Sequence, residues 1–193
     1  YMNIFNFKYS LVNAFLPIII ICFFLLDSLL HRNVKGLVFL IGLSFSIMTT
    51  IFVGNSFGLS SLKGNDICQP FTINNSSFYT NLPLNPTILI FTTVYLTYTA
   101  ATNNFILKNT FFLLIMFFII ISDNIWLIQN KCYTPLQMIV SNCIGLIAAL
   151  LWSFIIHKSN DKSIIYMIGT DNNNTCELPK KKTFKCKYKP KQQ

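Results

Sequence analysis

Apolar and polar positions alternate along this chain in long blocks. Five runs dominated by Ile, Leu, Phe and Val occupy residues 11–30, 36–53, 87–101, 110–128 and 135–157. A helix that crosses the hydrocarbon core of a bilayer needs about 20 mostly apolar residues. The pattern therefore predicts about five membrane-spanning helices, the third short unless it borrows flanking residues. Residues 11–30 make too long a run for the apolar part of a signal peptide, and no small-x-small site follows. This first run is read as a retained helix that Pro17 can kink, with Asp27 near enough to its end to reach the interface. Gly42, Ser44 and Ser46 in the second run offer a neighbouring helix a close approach. The fourth run carries Ser122, Asp123 and Asn124 near its far end. The fifth begins with Pro135, where a missing N–H costs nothing, and is broken only by Gln137, Ser141 and Asn142.

The segments between the runs are short, with one exception. Residues 54–86 form a long polar stretch rich in Gly and Asn turn formers. Residues 31–35 form a basic loop, 102–109 a polar one, and 129–133 a tight connection. The expected fold class is therefore all-α, a multi-span helical bundle over 1–157 followed by a polar tail over 158–193. No internal repeat is visible.

Charge sharpens this picture. Only 11% of residues are charged and 53% are hydrophobic, where a soluble domain carries about a quarter charged residues. The net charge of +9 is concentrated in the tail, which holds nine lysines against three acids. Five spans put the two termini on opposite faces. One face then carries Lys8, Lys63 and Lys131. The other carries Arg32, Lys35, Lys108 and the tail lysines. Basic residues flanking spans stay cytoplasmic, so the tail is expected there and the 54–86 loop on the lumenal or equivalent side.

Candidate chemistry is sparse. His31 and His157 lie far apart in sequence, so no metal site is expected, and no cofactor is implied. Cys22 and Cys143 fall within spans and read as packing residues. Cys68 and Cys132 fall in loops assigned to one face, where a disulfide is permitted. Cys176 and Cys186 lack the partners of a zinc site. Asn74 and Asn75 head overlapping N-x-S sequons, acceptors for glycosylation on the lumenal side. In the tail Lys180, Lys181, Lys182, Lys185, Lys187 and Lys189 alternate with Phe184 and Tyr188. They offer a surface for anionic lipid headgroups or acidic protein partners, and less favourably for nucleic acid.

One spacing resembles a known family. Tyr133, then T-x-x-Q-M from Thr134 to Met138, then Ser141 and Gly145 at steps of four, resembles the third motif of the type 2 phosphatidic acid phosphatases (the PAP2 family), the dolichyl-diphosphatase branch above all. That family's pattern is K-x6-R-P, then P-S-G-H or P-S-S-H, then S-R-x5-H. The resemblance implies a helical membrane fold with all three motifs on one face. It also implies a nucleophilic His, a second His as general acid, and Lys and Arg side chains that hold the phosphate. In this chain the second motif falls on Pro83, Leu84, Asn85 and Pro86. The third places Leu127 at the Arg and Tyr133 at the nucleophile. The first is matched best by Lys63 and Gln69, one residue short. Both His and both Arg are replaced, and removing one preorganised donor alone costs several kcal/mol of barrier.

These readings converge on a catalytically inactive relative of the family with a structural role. It would anchor a larger assembly to a bilayer and contact other proteins through the 54–86 loop and the basic tail. Heavy use of Asn, Ile, Phe and Lys marks AT-rich coding. It suggests settings such as the internal membrane beneath the capsid of a large DNA virus, or an organellar membrane complex. Two other functions stay open on these residues. One is a lipid-phosphate phosphatase built on Lys63, Tyr133 and Asp123, and the other is a non-catalytic lipid-binding protein.

Overall fold

The computed structural model describes residues 4–30, 34–57, 81–103 and 106–159, with side chains from Phe15 onward. They form five helices and no strand: α1 (Ile4–Leu30), α2 (Lys35–Ser56), α3 (Leu84–Thr102), α4 (Ile106–Gln129) and α5 (Pro135–Lys158). Three of them, α2, α4 and α5, are long and apolar enough to cross a membrane. The described part of α1, Phe15–Leu30, is a shorter apolar helix.

The helix at the centre is the least expected one. α3 packs most extensively on α5 and also meets α4, α2 and α1, while α4 joins the bundle chiefly through α3. It is not among the three helices long and apolar enough to cross a membrane, because it carries six threonines. Each of them donates its hydroxyl to the carbonyl four residues back. Thr92 bonds Ile88, Thr93 bonds Leu89, Thr97 bonds Thr93, Thr99 bonds Tyr95 and Thr102 bonds Tyr98, at 2.7–3.0 Å. Thr87 reaches the Pro83 carbonyl at 3.4 Å. A hydroxyl satisfied within its own helix can be buried away from water at little cost. The helix richest in polar residues can therefore sit innermost.

Around α3 the core is largely aromatic. Phe24 of α1 stacks on Phe39 of α2 with ring centroids 4.0 Å apart. Phe39 in turn meets Phe91 at 5.7 Å and the edge of Tyr95 at 5.2 Å. These four rings join three helices, and all are buried. On α2 the small side chain of Gly42 admits the Trp152 ring of α5, and a β-carbon there would overlap it. The indole N–H of Trp152 donates to the Val38 carbonyl at 3.1 Å. The opposite faces are apolar and exposed, as at Leu107, Phe111 and Phe118 of α4, which suits a lipid environment.

Several expectations are corrected. All five helices extend beyond the apolar runs, α1 by seven residues at its start and α5 by one at its end. α3 begins at Leu84, inside the stretch assigned to the 54–86 loop. Pro83 is extended (φ −68°, ψ 126°) and serves as its N-cap. Pro86 falls in the first turn, where its missing N–H leaves no bond unmade. α4 begins at Ile106, inside the stretch read as the 102–109 loop. Gly42 and Ser46 face the bundle, whereas Ser44 faces out and bonds the Leu40 carbonyl. Cys22 and Cys143, read as packing residues, are exposed on the outer surface. Apolar composition alone does not say which side of a span faces its neighbours.

Candidate functional site

The end of the bundle where α2 finishes, α3 starts and α4 turns into α5 carries the polar residues that the sequence singles out. α4 ends in a Schellman turn. The Cys132 N–H bonds the Leu127 carbonyl and the Lys131 N–H bonds the Ile128 carbonyl, both at 3.0 Å. Lys131 holds the left-handed conformation (φ 54°) that glycine usually takes at this position. The turn directs Cys132 inward, where it packs with Leu127 and Met138 against Trp126 and Tyr133.

Two residues on, Thr134 caps α5. The Thr134 hydroxyl accepts from the Gln137 N–H at 3.3 Å, and Gln137 Oε1 accepts from the Thr134 N–H at 2.8 Å. This is a capping box, with Pro135 in the first turn. Gln137 does a second job. Its Nε2 donates to the Asn81 carbonyl at 3.0 Å, and Asn81 Nδ2 donates to the Gly54 carbonyl at 3.1 Å. Two side-chain amides, Gln137 and Asn81, thus connect the starts of α5 and α3 to the end of α2.

One turn further along α5 the contact tightens. Ser141 donates to the Pro83 carbonyl and its hydroxyl lies 2.7 Å from that of Thr87. Another turn on, Gly145 lies against the α3 backbone. A β-carbon there would stand 2.8 Å from the Thr87 carbonyl oxygen. Thr134, Gln137, Ser141 and Gly145 therefore line a single seam along α3. Its members are neutral amides, hydroxyls and carbonyls that satisfy one another.

The remaining motif positions lie around this seam. Leu84, Asn85 and Pro86 form the first turn of α3, with Pro86 buried. Leu127 is buried at the end of α4, and Tyr133 packs beside it. Burial raises the Tyr133 phenol above its ordinary pKa. A phenol is neutral near pH 7 already, and burial holds it further from the phenolate that attack on phosphorus needs. Asp123 is fully enclosed on the inner side of α4. Neither of its carboxylate oxygens has a hydrogen-bond partner among the described residues, so no such bond joins it to Tyr133. Among the described side chains, the cation at this end is Lys131, which is exposed; Lys35, Lys108 and Lys158 are at the opposite end. Lys63, Cys68, Gln69, Asn74, Asn75 and the tail lysines lie outside the described residues.

Sequence reasoning did not anticipate the partners of the seam. Thr87 and Asn81 carry no motif of their own, and Pro83, though it heads the second motif, acts through its backbone carbonyl. The other missed tie joins Asn142 Nδ2 to Asn124 Oδ1 at 3.1 Å, between α5 and α4. Its signal was available as two asparagines set within apolar runs. No protein-family description, no curated protein and no solved structure matches the chain.

Proposed function

We propose that this chain is a catalytically inactive, structural membrane protein of PAP2-like architecture. Its five helices cross the bilayer, so that the two termini lie on opposite faces. It anchors a larger assembly through contacts made by the 54–86 loop and by the basic tail on the cytoplasmic side. The setting is an internal membrane beneath the capsid of a large DNA virus or an organellar membrane complex.

The observation that carries this reading is the division of labour at the α3–α5 seam. The motif residues suited to scaffolding, Thr134, Gln137, Ser141 and Gly145, are engaged in helix contact. The positions that need cationic and nucleophilic chemistry are Leu127 and Tyr133, both in an apolar cluster. Phosphoryl transfer depends on preorganised positive charge around the equatorial oxygens, and a seam of mutually satisfied neutral groups does not supply it.

The activity test uses purified full-length chain with phosphatidic acid and a polyprenyl diphosphate in mixed micelles. Inorganic phosphate release should stay at the level of protein-free micelles, and Tyr133→Phe and Lys63→Ala should leave it there. Release that both substitutions abolish would assign catalysis to those residues and overturn this reading.

A further inference from the structure

We propose that Cys132 is bonded to Cys68. The disulfide would tie the segment between α2 and α3 across the α4–α5 turn and place this end of the bundle on the oxidising side of the membrane. Cys132 is disulfide-bonded, while Cys22 and Cys143 are free thiols. The chain has six cysteines. The partner is therefore Cys68, Cys176 or Cys186, none of them among the described residues.

Position selects among the three. The Schellman turn fixes Cys132 at the end of the bundle where α2 stops and α3 starts. Both ends of the segment that contains Cys68 are anchored in this corner. Asn81 Nδ2 bonds the Gly54 carbonyl at 3.1 Å, and Gln137, five residues after Cys132, bonds the Asn81 carbonyl at 3.0 Å. Cys176 and Cys186 follow Lys158, at the far end of α5. That helix has 24 residues, a rise of about 36 Å at about 1.5 Å per residue. For the tail to return to Cys132 it would have to thread an unpaired backbone and Lys162 through hydrocarbon, which non-helical chain does not do when exposed to lipid. This step rests on reading the bundle as membrane-spanning.

The redox chemistry then sets orientation. Two thiols become one disulfide by losing two protons and two electrons. The acceptor is a disulfide of an exoplasmic thiol–disulfide exchange partner, which is reduced to two thiols as the bond is passed across. Cytosolic thiols are held reduced, so the 54–86 side faces away from the cytosol. The lysines with described side chains agree, with Lys131 at this end and Lys35, Lys108 and Lys158 at the other.

The test expresses the full chain in membranes that enclose an oxidising lumen. Samples are acid-quenched, denatured and treated with a polyethylene-glycol maleimide, with and without prior reduction. A variant that keeps only Cys68 and Cys132, the other four replaced by Ser, should gain no adduct before reduction and two after it. The unsubstituted chain provides a second measurement that does not depend on the variant folding. A tryptic map without reductant should join the peptide beginning at Gly64 to the peptide beginning at Cys132. Two adducts on the variant before reduction, or unlinked peptides in the map, would overturn the pairing. Linkage of Cys132 to the tail would overturn both the pairing and the placement of the termini on opposite faces.

Discussion

Replacing Gly145 by Leu should separate α3 from α5 and destabilise the bundle by about 3 kcal/mol, the upper part of the usual overpacking range. The cause is specific to the backbone it meets. A β-carbon at Gly145 would stand 2.8 Å from the Thr87 carbonyl oxygen and 3.2 Å from the Thr87 α-carbon. Neither atom can rotate away as a side chain would, so α3 itself must shift. That shift pulls Thr87 from Ser141 and loosens the most extensive helix pair in the molecule. Gly54 provides the control. Its β-carbon would meet Leu82 at ordinary contact distances, with 3.4 Å the shortest. Gly54→Ala should be neutral, or stabilising by up to about 1 kcal/mol from helix propensity. Reversible unfolding from mixed micelles would measure both. Equal losses at the two positions would contradict the close packing described at Gly145.

Gln137→Leu should cost about 2–3 kcal/mol, although Leu is apolar, similar in size and a good helix former. Gln137 is 1% exposed, and its amide serves three partners. Oε1 accepts from the Thr134 N–H and hydroxyl, and Nε2 donates to the Asn81 carbonyl. The substitution leaves those partly buried groups unpaired, and the asymmetry between making and orphaning a hydrogen bond dominates the outcome. The loss should be local at first. Hydrogen exchange should rise at the first turns of α5 and α3 while the aromatic core around Phe39 and Tyr95 stays protected. If Gln137→Leu were as stable as the unsubstituted chain, the capping box would not be holding this corner.

The parts of the fold that were readable in the sequence are those governed by long apolar blocks. Five runs correspond to five helices, since block length is a property of composition. The seam was partly readable, because Thr134, Gln137, Ser141 and Gly145 recur at helical spacing and include the small residues that close approach requires. What lay opposite them was not readable. Thr87 contributes through its hydroxyl and backbone, and Pro83 only through its carbonyl, so neither announces its role by residue type. The central place of α3 was hidden for a related reason. Six threonines argue against burial until each hydroxyl is seen to bond within its own helix. Asp123 read as a residue near a span end, yet it lies on the inner side of α4 in line with Met116 and Leu127. Helical phase sets that placement, and a uniformly apolar run carries little phase information. For the same reason composition marks Cys22 and Cys143 as packing residues, while the structure exposes both.

The claim at the centre of this account is that the chain serves as a structural anchor within a larger membrane assembly. The most direct measurement is the size and protein content of whatever carries the chain after gentle extraction from its native membrane. The account predicts co-migration with a particle far larger than a 22.2 kDa chain in its micelle, together with other proteins in fixed ratio, and loss of that co-migration when the tail from Asn160 onward is removed. A detergent-bound monomer or dimer with no stoichiometric protein partner would contradict it.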